Sequence, residues 1–104
     1  MTDGGAEDLL LVERETEEGL LVAVCDAAIL GETFTEGDLS ISVTEEFYGG
    51  DPATVERVVE SLARCTTANL VGSRAVDVAI DHGYVEAENV LDIDGTRHAQ
   101  LLWM

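Results

Sequence analysis

The chain has 104 residues, 46% of them hydrophobic, and carries 22 acids against 5 bases for a formal net charge of −17. This length suits a single domain with its own core, and this apolar share argues against a chain that is disordered as a whole. The longest apolar runs, Leu9–Val12 and Leu20–Cys25, are too short to cross a membrane as a helix.

Residues 1–8 read as a loose acidic tail, and residues 9–104 as one domain. The runs "LLLVERET" and "LLVAVCD" flank "EEG", where Gly19 permits the turn of a first β-hairpin. The segment "AAILGETFTEGD" is broken by Gly31 and Gly37 and is expected to be a loop with at most one helical turn. "DLSISV" alternates, which predicts a strand burying Leu39, Ile41 and Val43. Continuing that alternation through "TEEFYGG" sends Phe47 into the core and leaves Tyr48 exposed, with Gly49 or Gly50 at positive φ.

Asp51-Pro52 predicts a helix start, with Val55, Val58, Val59 and Leu62 on its inner face. "TTANLVGSRAVDVAIDHG" is expected to be a second helix ending at Gly83, with Asn69 and Gly72 inside it. The last segment, "NVLDIDGTRHAQLLWM", reads as a hairpin about Asp94-Gly95, setting Asp92 opposite Arg97. The expected fold is therefore α+β, in the order ββ-β-αα-ββ. It has a mainly antiparallel sheet of two hairpins plus one strand, with two helices on one face.

The sequence contains no nucleotide loop, nucleophile elbow or zincin motif. His98 should face the same side as Leu91, Ile93 and Leu102. That makes it a core histidine, or else a general base acting with a carboxylate or with Cys25 as a thiol nucleophile. Cys25, Cys65, His82 and His98 lack chelate spacing, so no metal or other cofactor is expected. Both cysteines read as small buried hydrophobes, and His82 as a helix-terminal residue. Arg57 and Arg64 flank Glu60 on one helical face, where local ion pairs account for them.

All five bases are arginine, and lysine is absent. Acids spread over segments with normal apolar periodicity indicate a folded protein adapted to molar salt, where its self-repulsion is screened. The competing reading of the charge is a nucleic-acid mimic or an acidic partner of a basic protein. Without a basic stripe, autonomous nonspecific nucleic-acid binding is not expected. The opening "MTDGGAED" has no signal-peptide character, and two widely spaced cysteines fit a reducing compartment, so the expected location is the cytoplasm.

"EEFYGG", "ANLVG", "ENVL" and "HAQ", in this order and at these spacings, resemble the archaeal proteins classed as domain of unknown function 424. The likeness runs from about Leu9 to the C-terminus, and the acidic surface would make this a haloarchaeal member. The resemblance implies a small cytoplasmic protein without an established activity, and it points weakly to translation and ribosome maturation. No catalytic residues carry over. The motifs fall on Phe47, Tyr48, Gly49, Gly50, Asn69, Gly72 and His98.

The reading is an interaction module for a protein or ribonucleoprotein partner. Tyr48, Gly49, Gly50, Asn69, Gly72 and Arg97 are its candidate binding residues. The alternatives are a small enzyme built on His98, and a homo-oligomer joined through the strand that carries Trp103.

Overall fold

The computed structural model describes residues 8–102. The proposed tail up to residue 7, and Trp103, lie outside them. Asp8 is tied in: its carbonyl accepts from Ala27 N (2.7 Å) and its carboxylate pairs with Arg74 (3.6 Å).

Strands β1 (Leu9–Thr16) and β2 (Gly19–Asp26) form the expected first hairpin, paired from Leu9↔Asp26 to Thr16↔Gly19. The segment expected to be a loop with at most one helical turn has that turn, of the 3-10 kind (Ala27–Ile29), but it also contains strand β3 (Thr33–Glu36). β3 pairs with β4 (Leu39–Ser42) as a separate two-stranded sheet. Leu39 is exposed in β4, against the alternation reading, while Val43 just beyond it is buried.

The alternation then fails for a definite reason. Thr44 caps a one-turn helix, α1 (Glu45–Tyr48), its hydroxyl accepting from Phe47 N (3.3 Å). A helical turn does not keep the two-residue period of a strand. Tyr48 is therefore the buried ring, at 5% exposure, and Phe47 is only partly covered.

Asp51-Pro52 does not begin a helix. Strand β5 (Asp51–Ala53) lies along β1, and helix α2 (Val55–Arg64) starts at Thr54, whose hydroxyl accepts from Arg57 N (3.1 Å). Proline lacks an N–H, and an edge strand tolerates that.

The expected second helix is also divided. Strand β6 (Thr67–Val71) runs parallel to β2, and helix α3 (Ser73–Asp81) begins only after Gly72. Gly72 sits at φ 110°, a left-handed value that stops both elements. A Cβ there would lie 2.3 Å from the Asp26 side-chain carbon. Asp26 supplies the cap that glycine lacks, its two oxygens accepting from Arg74 N (3.1 Å) and Ala75 N (2.8 Å). Asn69 and Gly72 thus belong to a strand and a turn.

Strands β7 (Leu91–Ile93) and β8 (Thr96–Leu102) form the expected last hairpin. Asp94 and Gly95 take φ values of 51° and 87°, as a tight two-residue turn requires.

The main sheet runs in the order β5-β1-β2-β6-β8-β7, antiparallel except between β2 and β6. The α+β class stands, with α2 and α3 on one face. There Leu9, Leu11, Val22, Val24, Leu70 and Leu101 pack against Val58, Leu62, Val76 and Ala79. The hairpin β3–β4 and the α1 turn cover part of the other face. Val43, Tyr48, Phe34 and Ile41 meet Cys25, Val71, Leu10 and Val12 there.

Candidate interaction surface

Strand register assigns every side chain of the main sheet to a face, because directly paired residues share a side. The row Leu10, Cys25, Val71, His98 and Leu91 crosses five strands on the face away from the helices. Two residues along lies the row Val12, Ala23, Asn69 and Gln100, and then Arg14, Leu21, Thr67 and Leu102.

The cover formed by the hairpin and α1 lies over the first row. Cys25 and Val71 are fully buried and His98 partly so. The last row lies open: Leu102 is 61% exposed, and Leu21 and Thr67 are partly exposed. Beside this row, Thr16, Glu18, Gly19, Leu21, Thr66 and Thr67 line a shallow depression of about 250 Å³.

The charge of the two faces differs completely. The six strands hold five carboxylates: Glu13, Glu15, Asp26, Asp51 and Asp92. By register all five stand on the helix side. None stands on the other face, although the chain has 22 acids. Its charged or titratable strand side chains are Arg14, Cys25 and His98. Carboxylates lie in the elements around it: Glu17 and Glu18 in the first turn, Glu45 and Glu46 in α1, and Glu32, Glu36 and Asp38 in and beside the covering hairpin, where Glu36 accepts from Asp94 N (2.7 Å).

Arg14 anchors the cover. Its guanidinium donates to Glu46 O and Phe47 O at the end of α1 and lies 5.7 Å from the Phe47 ring centre. A cation at a helix C-terminus is favourable. The Phe47 and Tyr48 rings meet edge to face at 4.9 Å, and burial pushes the Tyr48 hydroxyl up to about 12. Neither Gly49 nor Gly50 takes a positive φ. Close approach is what requires Gly50, since a Cβ would lie 2.0 Å from Leu11 O. The "EEFYGG" motif is therefore a packed lid over the sheet, and Tyr48 is not a surface ring.

The remaining candidates are dispersed. Asn69 lies on the open face between Ala23 and Gln100. Gly72 is beneath Asp26 at the end of β6. Arg97 points to the helix side and pairs with Asp77 of α3 (2.7 Å), although Asp92 stands opposite it in the ladder as expected.

Cys25 and His98 share a row, but Val71 stands between them, two strand spacings or roughly 10 Å across. Burial pushes the Cys25 thiol up to about 12, so it holds its proton at neutral pH. Burial also lowers His98, which favours the neutral ring. No strand carboxylate shares its face. His82 sits at the end of α3, with Nδ1 3.0 Å from Val78 O.

Sequence reasoning missed Glu13. This carboxylate accepts from Arg57 Nη1 (3.1 Å), Arg64 Nη2 (2.6 Å) and the buried Ser61 hydroxyl, joining β1 to α2. Those bonds, led by Ser61 and Arg57, hold Glu13 down at about 2. The signal was an acid on the inward parity of an apolar strand. A groove of about 260 Å³ opens beside it, lined by Leu11, Asp51, Pro52, Ala53 and Arg57. Glu13 and Arg57 in that groove are already paired with each other.

A family model described as a protein of unknown function (DUF424) matches residues 13–104. No curated protein matches the chain. In fold it is similar to a crystal structure titled as an uncharacterized conserved protein from Methanopyrus kandleri. The TM-score is 0.77 at 21% identity, covering 92% of this chain and 93% of that one.

Proposed function

The chain belongs to the DUF424 family, and we propose that it is a non-enzymatic interaction module that docks a protein or ribonucleoprotein partner on the acid-free face of its sheet. One observation carries this reading. Every carboxylate of the six strands is on the helix side, and the opposite face presents Leu21, Thr67, Asn69, Gln100 and Leu102 next to Arg14. An acidic protein repels most surfaces in a cell whose proteins are equally acidic, and a face without carboxylates avoids that penalty. Mixed amide, hydroxyl and aliphatic side chains suit a non-obligate protein interface.

The proposed setting is the cytoplasm of a haloarchaeon, and the partner class to test first is the translation apparatus. The tagged chain is incubated with a native lysate in molar KCl, and bound proteins and RNA are identified. Recovery of ribosomal or initiation components by the wild-type chain, lost with Leu21→Glu plus Asn69→Asp, supports the reading. Equal recovery by both chains overturns the assigned face. The habitat is tested by thermal melts in a KCl series. The midpoint should climb steeply from tens of millimolar to molar salt, and a flat midpoint would favour the acidic-mimic reading of the charge.

A further inference from the structure

The two edges of the main sheet are finished differently. At one edge β5 carries Asp51 and Pro52, a charge and a residue without an N–H. Both discourage another strand from pairing there. At the other edge β7 covers only the start of β8, from Leu91↔His98 to Ile93↔Thr96.

Beyond His98 the outer side of β8 has no strand beside it among the described residues. Gly72 N donates to Arg97 O (2.8 Å), which fixes the alternation along β8. Residues 97, 99 and 101 turn their main-chain groups towards β6, and residues 98, 100 and 102 turn theirs outward. His98 meets β7. The outward N–H and C=O of Gln100 and Leu102 therefore face away from the sheet.

From Ala99 to Leu102 this edge carries neither a charge nor a proline. Residues 95–104 contain no Asp, Glu, Lys or Pro, and the exposed Leu102 side chain stands on the strand itself.

We propose that β8 pairs antiparallel with β8 of a second copy of this chain, in a two-fold register centred on Leu101. Gln100 then exchanges main-chain hydrogen bonds with Leu102 of the other copy, and Leu102 with Gln100. The charge distribution selects this occupant. Two copies bearing −17 each repel wherever carboxylates meet, and the β8 strands themselves carry none. A basic partner would be drawn to the acid-rich surface elsewhere. A polyphosphate would find no cation on Gln100, Leu101 or Leu102. The pairing continues the sheet across the dimer and sets two acid-free faces side by side. It goes beyond the docking reading and does not depend on it.

The test uses the full chain in molar KCl, followed by sedimentation equilibrium over a wide concentration range. The wild type should show a doubling of mass as concentration rises. Leu102→Pro removes an outward N–H that no internal ladder bond uses, so it should keep the circular dichroism spectrum and stay monomeric. Under mild oxidation Leu101→Cys should give a disulfide-linked dimer, because centred residues face each other at about 4.5 Å between Cα atoms. Gln100→Cys alone should not link, being offset from its own copy. If Leu101→Cys proves unstable, a mixture of Gln100→Cys and Leu102→Cys chains probes the same register. A wild type that stays monomeric throughout, or a folded Leu102→Pro that still doubles in mass, overturns the proposal. Leu21→Glu lies away from this edge, so its loss of captured partner with the dimer intact is read separately.

Discussion

The helix face and the hairpin face of the sheet are covered by different means. Helices α2 and α3 seal one side with a continuous aliphatic layer, and the strand carboxylates on that side are tied to helices or left at its margin. The other side is closed at one end only, by a hairpin, a single helical turn and two aromatic rings. The sheet thus keeps its strand carboxylates on the side where helices can use them, and leaves one end of its other face free of strand carboxylates and open among the described residues. The contrast separates residues that stabilise from residues that are free to bind.

The largest test of this contrast compares the two buried layers. Tyr48→Ala should cost about 3–5 kcal/mol if the small cover is a true core, as full truncation of a buried aromatic does. Leu70→Ala, from the centre of the helix side, should cost about 2–5 kcal/mol. Chemical denaturation in molar KCl measures both. A loss below about 1 kcal/mol for Tyr48→Ala would mean that the lid sits loosely and that the contrast is overstated.

Next is the tie between β1 and α2. Glu13→Gln should cost on the order of 1 kcal/mol at neutral pH, because it leaves Arg57, Arg64 and Ser61 without their anionic acceptor. Glu13 is held at about 2, below its ordinary 4.5. Its contribution is therefore complete above about pH 4.5 and fades as the pH falls towards 2. The stability gap between wild type and Glu13→Gln should close over that window. A gap that is constant with pH would assign the cost to packing.

Arg14→Met removes the cation from the end of α1 while keeping an apolar stem against Phe47. A loss of roughly 0.3–1 kcal/mol is expected, read as a small shift in the denaturation midpoint. The smallest effect belongs to the open area. Leu102→Ser and Leu21→Ser should each change stability by less than about 0.5 kcal/mol. A larger cost at Leu21 would show that this area is already covered in the folded chain.

The two outer hairpins were legible because their turns are local. Gly19 and Asp94-Gly95 sit between apolar runs, and strand pairing follows from position alone. The central region was not, because its decisive groups are far apart in the chain. Residues 67–81 read as one apolar stretch, and the break at Gly72 is fixed by Asp26. Thr44 and Thr54 cap helices, each followed by an acid in the first turn, a local signal that a reading built on the strand period and Asp51-Pro52 passes over. Of the proposed surface, the sequence singled out Asn69. Its acid-free neighbours emerge only when four strands are laid side by side, since no single segment shows which parity faces the helices.

Asp26 has a consequence for how the chain reaches this state. Helix α3 carries no starting signal of its own, and the carboxylate that opens it arrives from 48 residues upstream. An isolated peptide of that region should therefore fray at its first turn. The cap forms only after β2 and β6 lie parallel with Cys25 opposite Val71. A slip of one residue would carry Asp26 to the other side of the sheet and leave the helix start open. The contact thus ties the start of α3 to strand register: the helix gains its cap only in chains that have made the long-range pairing.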